Sequence, residues 1–127
     1  MGAGKTWLHL LIRLEHMLME TQRPAATKLF NAQGSRRLKV AQKQLLKEHQ
    51  ELLRIGQRWG LSVAAGEVRE AACGLPLSDD LKDDYLALAD GYRGAAIVAE
   101  RLGDPSAAQW LRTRANIHDL QRFLLKS

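Results

Sequence analysis

Apolar residues recur along most of this chain at spacings of three and four. No stretch alternates apolar with polar residues long enough to argue for a strand, so the pattern predicts an all-α fold. Punctuation sets the helix limits. Thr6 reads as the N-cap of a first helix that runs to about Gln22, where Pro24 removes a backbone donor and disfavours helical geometry at Arg23. A short continuation from Pro24 reaches about Ala32, and Gly34 with Ser35 reads as a stop followed by a new cap. The second helix spans residues 36–59 and ends at Gly60. Ser62 caps a short, weakly apolar third helix that runs to Cys73, and Gly74, Pro76 and Ser78 mark the next loop. Ser78 opens a fourth helix with Asp79, Asp80, Asp83 and Asp84 near its start, as the helix dipole favours, and Gly103 closes it. Asp104 and Pro105 form a cap and first-turn pair for a fifth helix that reaches about Lys126. The expected architecture is a single-domain antiparallel helical bundle over residues 1–127, with four long helices and one short one.

Placing residues at about 100° each separates buried faces from solvated ones. On the fourth helix Leu81, Tyr85, Leu88, Tyr92, Ala95, Ala96, Ala99 and Leu102 make one seam. The fifth answers it across the Gly103 turn with Ala107, Ala108, Leu111 and Ala115, while Trp110, Ile117 and Leu124 form a second stripe. The first helix is apolar around most of its circumference, with His9, Arg13, His16 and Glu20 as a narrow polar strip, so it is expected to be central. The small residues Ala96, Gly103, Ala108 and Ala115 resemble those of one tetratricopeptide repeat, which implies a helical hairpin. Close packing between any two helices explains the same alanines.

A chain of 127 residues with 46% hydrophobic residues buries enough surface to fold without a disulfide or metal. Its single Cys73 excludes an internal disulfide framework and a cysteine-based zinc ribbon, and fits a reducing cytoplasm. The most apolar stretch, Trp7 to Met19, carries His9, Arg13, Glu15 and His16. It is too short and polar to span a bilayer and makes a poor signal peptide. A cytoplasmic protein with no membrane partner is expected.

Charge changes this picture more than composition does. Of the net +5, residues 1–59 hold 11 Lys and Arg against four Glu, whereas residues 60–127 hold eight against ten Asp and Glu. Such asymmetry points to a polyanion or an acidic partner. The cations have a face: Arg36, Lys39, Lys43, Lys47, Gln50, Arg54 and Arg58 fall within about 100° of one another on the second helix. Leu38, Ala41, Leu45, Leu52 and Trp59 occupy the opposite side. Residues i and i+4 rise by about 6 Å, so this ridge offers cations over roughly 33 Å at a spacing close to that of successive phosphates. Glu48 and Glu51 beside it leave the surface mixed. A helix-turn-helix, an aromatic RNA-binding motif and zinc-finger spacing are all missing, so phosphates would be bound without sequence readout. Trp7 and Trp59 are assigned to core or interface rather than to base stacking.

Catalytic chemistry finds little support. Gly2-Ala3-Gly4-Lys5-Thr6 ends like a phosphate-binding loop but lacks that motif's first glycine and preceding strand. Glu15-His16 and Glu48-His49 stand at similar heights on a hairpin, and His16, Glu20 and His49 suggest a metal. Neither pair has the Glu-x-x-His spacing of two-metal bundles, and a buried Glu15–His49 hydrogen bond is the simpler expectation. Arg112 and His118, spaced Arg-x5-His, resemble the motif of HEPN ribonucleases, and Thr113 fits its polar position. The resemblance implies a dimeric, metal-independent RNase in which arginine and histidine act on the 2′-hydroxyl and phosphate. His118 also aligns with Leu111 and Ala115 as a residue of the helix seam.

The leading expectation is a non-enzymatic protein with no catalytic residue, metal, cofactor or small-molecule substrate. It binds nucleic-acid backbone through the second-helix stripe as a subunit of a nucleoprotein assembly, with protein partners or self-association. The alternative is an adaptor, immunity or chaperone-like module that docks an acidic protein on the same stripe, and a HEPN-like ribonuclease is the lesser one.

Overall fold

Helix α1 (Gly2–Glu20) packs against three other helices, whereas α5 (Lys82–Arg101) and α6 (Pro105–Leu124) form a close hairpin. The partners of α1 are α3 (Ser35–Arg58), α4 (Ala65–Cys73) and α5; a single turn, α2 (Ala26–Leu29), follows the break at Pro24 and lies near α3. This computed structural model describes residues 2–29, 35–77 and 79–124, with the side chains of Thr27, Leu29 and residues 35–37 outside that description. No strand occurs among the described residues. The architecture is the predicted all-α bundle of four long helices and a short one, with α3 corresponding to the predicted second helix and α1 at its centre.

The core follows the predicted periodicity. Leu10, Leu11 and Leu14 of α1 are buried with Leu52 and Ile55 of α3, Leu81 and Leu88 at the start of and along α5, and Leu111 of α6. The alanines of the α5–α6 seam, Ala95, Ala96, Ala99, Ala107, Ala108 and Ala115, are all buried, and they let the two backbones approach. Leu102 departs from the expected seam and is exposed, because the chain leaves the helix there: the Asp104 amide bonds Ala99 O at 2.8 Å and Gly103 takes φ 74°. That left-handed conformation strongly favours glycine, as does φ 76° at Gly60, the other predicted stop. Asp104 caps α6 as expected, its Oδ1 accepting the Ala107 amide at 3.2 Å, with Pro105 as the first helical residue.

Other predicted starts are corrected by tertiary contacts. Helix α1 begins at Gly2, so Thr6 lies inside it rather than capping it. Gly4 sits against Leu61 and the Thr6 methyl against Gly94, and this packing carries the helix past the predicted start. The same helical backbone excludes a phosphate-binding loop at Gly2–Thr6. Ser62 does not cap α4, which starts at Ala65 after an uncapped Ala64. The neighbours of Ser62, Leu61 and Val63, pack on the core and hold residues 61–64 out of helical geometry. Helix α5 starts at Lys82, after the fully buried Leu81, and Asp80 Oδ1 accepts the Lys82 amide at 2.9 Å; Ser78 lies outside the described residues. The polar strip on α1 is also covered in part. His16 and Glu20 are buried, with His16 Nε2 3.4 Å from Glu20 and 3.9 Å from Asp84 of α5, and Arg23 2.7 Å from Glu20.

Helices α1 and α3 cross where Trp7 lies over Gly56, and the indole Nε1 donates to Leu52 O at 2.8 Å. A Cβ on Gly56 would fall inside the Trp7 ring, a buried group with nowhere to move. Gly56→Ala is therefore expected to destabilise the protein by about 1–3 kcal/mol, despite the ~1 kcal/mol of helix propensity it gains. Gly66→Ala, with open space around it, should be neutral or stabilising by up to about 1 kcal/mol. Urea unfolding of the two variants checks both signs.

Candidate nucleic-acid interface

Helix α3 buries Leu45, Glu48, Leu52, Ile55 and Gly56, with Leu38, Ala41 and Trp59 half-buried on the same side. The predicted stripe lies opposite. Lys39, Lys43, Lys47, Gln50, Arg54 and Arg58 are all exposed, and the side chain of Arg36 lies outside the described residues. These cations are not equivalent. Arg54 pairs with Glu51 at 3.0 Å, and Arg58 Nη2 donates to Asp104 at 2.8 Å, which Trp59 Nε1 also reaches at 3.0 Å. The Arg58 hydrogen bond holds the Asp104 carboxyl below the usual carboxylate range, against the opposing effect of its slight burial. Lys39, Lys43 and Lys47 carry no ion pair among the described residues, so they form the available part of the ridge.

What fixes the rotation of α3 is a residue that the sequence pattern assigned to the surface. Glu48 is 1% exposed. Its Oε1 accepts hydrogen bonds from Tyr92 Oη of α5 at 2.7 Å and from His118 Nε2 of α6 at 2.6 Å. The His118 ring lies between Tyr85 and Tyr92, with centroids 5.8 and 5.6 Å away and interplanar angles of 22° and 19°, and its Nδ1 meets Gln121 Oε1 at 2.6 Å. Trp110 meets Tyr92 edge-on at 74°. The heptad-like spacing of Glu48 from Leu45 and Leu52 was the available signal for its burial. Burial, with the nearby Glu48 and Asp84 charges, pushes the Tyr85 hydroxyl up to about 12. Burial and Glu48 also raise Tyr92 well above its ordinary value, with Arg114 opposing.

Beside Glu48, a cleft of about 470 Å³ opens between α3 and α6, lined by Gln44, Lys47, Gln50, Glu51, Arg54, Trp110 and Arg114 as well as Glu48 itself. It contains three members of the stripe and two residues, Trp110 and Arg114, that the charge pattern did not single out. A second, mostly apolar pocket of about 370 Å³ lies between α3 and α4, with Leu53, Val63 and Val68 on its walls and Glu15, His49 and Arg69 at its polar edge. The expected Glu15–His49 hydrogen bond is not made. His49 Nε2 stands 3.7 Å from Glu15 Oε2, while Arg69 Nε donates to the other oxygen, Oε1, at 3.4 Å. Burial holds the His49 imidazole below its ordinary value, against the pull of Glu15.

The other constellations are not assembled. His16 and Glu20 are enclosed with Asp84, apart from His49, which stands with Glu15, and no three metal-ligating side chains converge among the described residues. Arg112 and His118 face apart: Arg112 is exposed and paired with Glu100, while His118 is buried on Glu48. No family model, curated protein or solved structure matches this chain.

Tyr85 and Tyr92 are the two tyrosines of the chain, and both are buried. A raised phenol pKa means that the fold excludes tyrosinate, so its stabilising effect is complete below about pH 10 and is lost as pH rises from there toward the folded values. Native protein should show no tyrosinate absorbance at pH 10.5. In denaturant, both side chains should ionise near pH 10.

Proposed function

We propose that this protein binds nucleic-acid backbone through the exposed ridge of α3, without sequence specificity, as a subunit of a nucleoprotein assembly. The observation that carries this reading is the exposure of Lys39, Lys43 and Lys47 on successive turns, directly opposite the buried face of α3 and free of ion pairs among the described residues. Packing asks only that the outward face of a helix be polar. Three unneutralised lysines in line add a field that favours a polyanion, and phosphate contacts of this kind position a partner without reading bases. Arg54 and Arg58 extend the ridge, Arg54 paired with Glu51 within α3 and Arg58 tying the helix to Asp104.

Two observations bear on the wider setting. Leu120, Phe123 and Leu124 are exposed near the end of α6, at 60%, 85% and 65% of their surfaces. Apolar exposure there favours a protein partner at that end of α6, as a subunit would have. Trp110 and Ile117, which the sequence pattern groups with Leu124 in one stripe, are half-buried. No helix among the described residues is long and apolar enough to cross a membrane, and the single Cys73 is exposed; a cytoplasmic location belongs to this proposal. We assign no catalytic role, metal or cofactor. An acidic protein docking on the same lysines is the competing reading, and recovery of a stoichiometric protein insensitive to nuclease would favour it.

Fluorescence anisotropy against DNA and RNA at several salt concentrations tests the proposal. Replacing Lys39, Lys43 and Lys47 with Gln should weaken binding to all sequences alike. It should also flatten the salt dependence by up to about three phosphate equivalents. Absence of binding at low salt would overturn the reading.

A further inference from the structure

The cleft between α3 and α6 has a chemistry that backbone binding does not use. Two of its lining residues each carry a solvent-shielded polar atom with no hydrogen-bond partner among the described residues, Glu48 Oε2 and Arg114 Nε. The first is an acceptor and the second a donor, and the side chain that bears the acceptor is 99% buried, a costly arrangement unless something completes it. Half-buried Trp110 lines the same cleft, and Lys47, Gln50 and Arg54 of the ridge form its rim.

From this we infer that the cleft admits a nucleobase, so that the ligand of the α3 ridge is a single-stranded polynucleotide rather than a duplex; the inference rests on the backbone-binding reading above. Glu48 and Glu51 repel phosphate from the interior of the cleft, while Lys47, Arg54 and Arg114 attract it to the edge. That polarity suits a nucleotide with its base inward and its phosphate outward. A base edge presents donor N–H groups and acceptors together, as adenine and cytosine do, and the carboxylates and guanidinium groups among the lining side chains offer the complement of each. The indole supplies an aromatic surface for the base, and a cleft of about 470 Å³ lies within the roughly 300–1,000 Å³ range of small-molecule sites. A base inside a duplex cannot reach it. Deoxyribose and ribose strands share this chemistry and form separate arms of the test.

The experiment compares, at one low salt concentration, fluorescein-labelled single strands that carry bases, abasic strands of the same length, and duplexes. Wild-type protein should hold the base-bearing strand of at least one sugar about tenfold more tightly than the abasic strand. Trp110→Ala should remove about that factor while changing abasic and duplex affinity less than twofold, and Trp110→Phe, which keeps a ring and guards against a folding defect, should retain most of it. Equal affinity for base-bearing and abasic strands of both sugars overturns the base site and leaves backbone binding standing. So does a base preference that folded Trp110→Ala retains. Failure of every probe to bind overturns both readings together.

Discussion

A carboxylate enclosed by protein must be met by donors, because burying an unpaired charge costs several kcal/mol. Glu48 meets that requirement with one group from each arm of the α5–α6 hairpin, the hydroxyl of Tyr92 and the imidazole of His118. The arrangement matters because α3 has no close backbone packing on the hairpin comparable with the α5–α6 and α1–α5 contacts. Its attachment there is made by side chains, with Glu48 near the middle of the helix and Arg58 and Trp59 on Asp104 at the end. On its other side, Trp7 locks α3 to α1 at Gly56. These ties act at different heights and fix how the helix is rotated about its axis.

That rotation determines what faces solvent. With Glu48, Leu52 and Ile55 turned inward, Lys39, Lys43 and Lys47 are directed outward as a group, and a slip of one residue would turn them by about 100°. The same inward turn makes Glu48 part of the lining of the α3–α6 cleft, together with Lys47 of the ridge and Trp110. One buried side chain thus links core, ridge and cleft. The Tyr85–His118–Tyr92 stack gives the linkage stiffness, since the imidazole is held by rings on both sides as well as by hydrogen bonds at both nitrogens.

Periodicity made the helices, the α5–α6 seam and the outward ridge legible in the sequence, because each depends on spacing within one element. The Asp104-Pro105 cap and the stops at Gly60 and Gly103 were legible for the same local reason. What was hidden depends on pairs distant in sequence. Thr6 had the chemistry of a cap, yet contacts with Leu61 and Gly94 extend the helix beyond it. His16 and Glu20 looked like a solvated strip until Asp84 covered them. Glu48 reads as a surface charge by residue type, although its position between Leu45 and Leu52 points inward. The cleft was not legible at all: Trp110 and Arg114 join the ridge only when α6 lies beside α3.

A double-mutant cycle between Glu48 and His118, followed by urea unfolding, tests this linkage most directly. Glu48→Met and His118→Leu each remove one partner and leave the other buried without it, whereas the double variant removes both. If Glu48 is the tie that fixes α3, each single variant should be destabilised and the double variant should lose about 1–3 kcal/mol less than the sum of the two. Additivity within about 0.5 kcal/mol would contradict the account, because it would mean that the two side chains stabilise the fold independently.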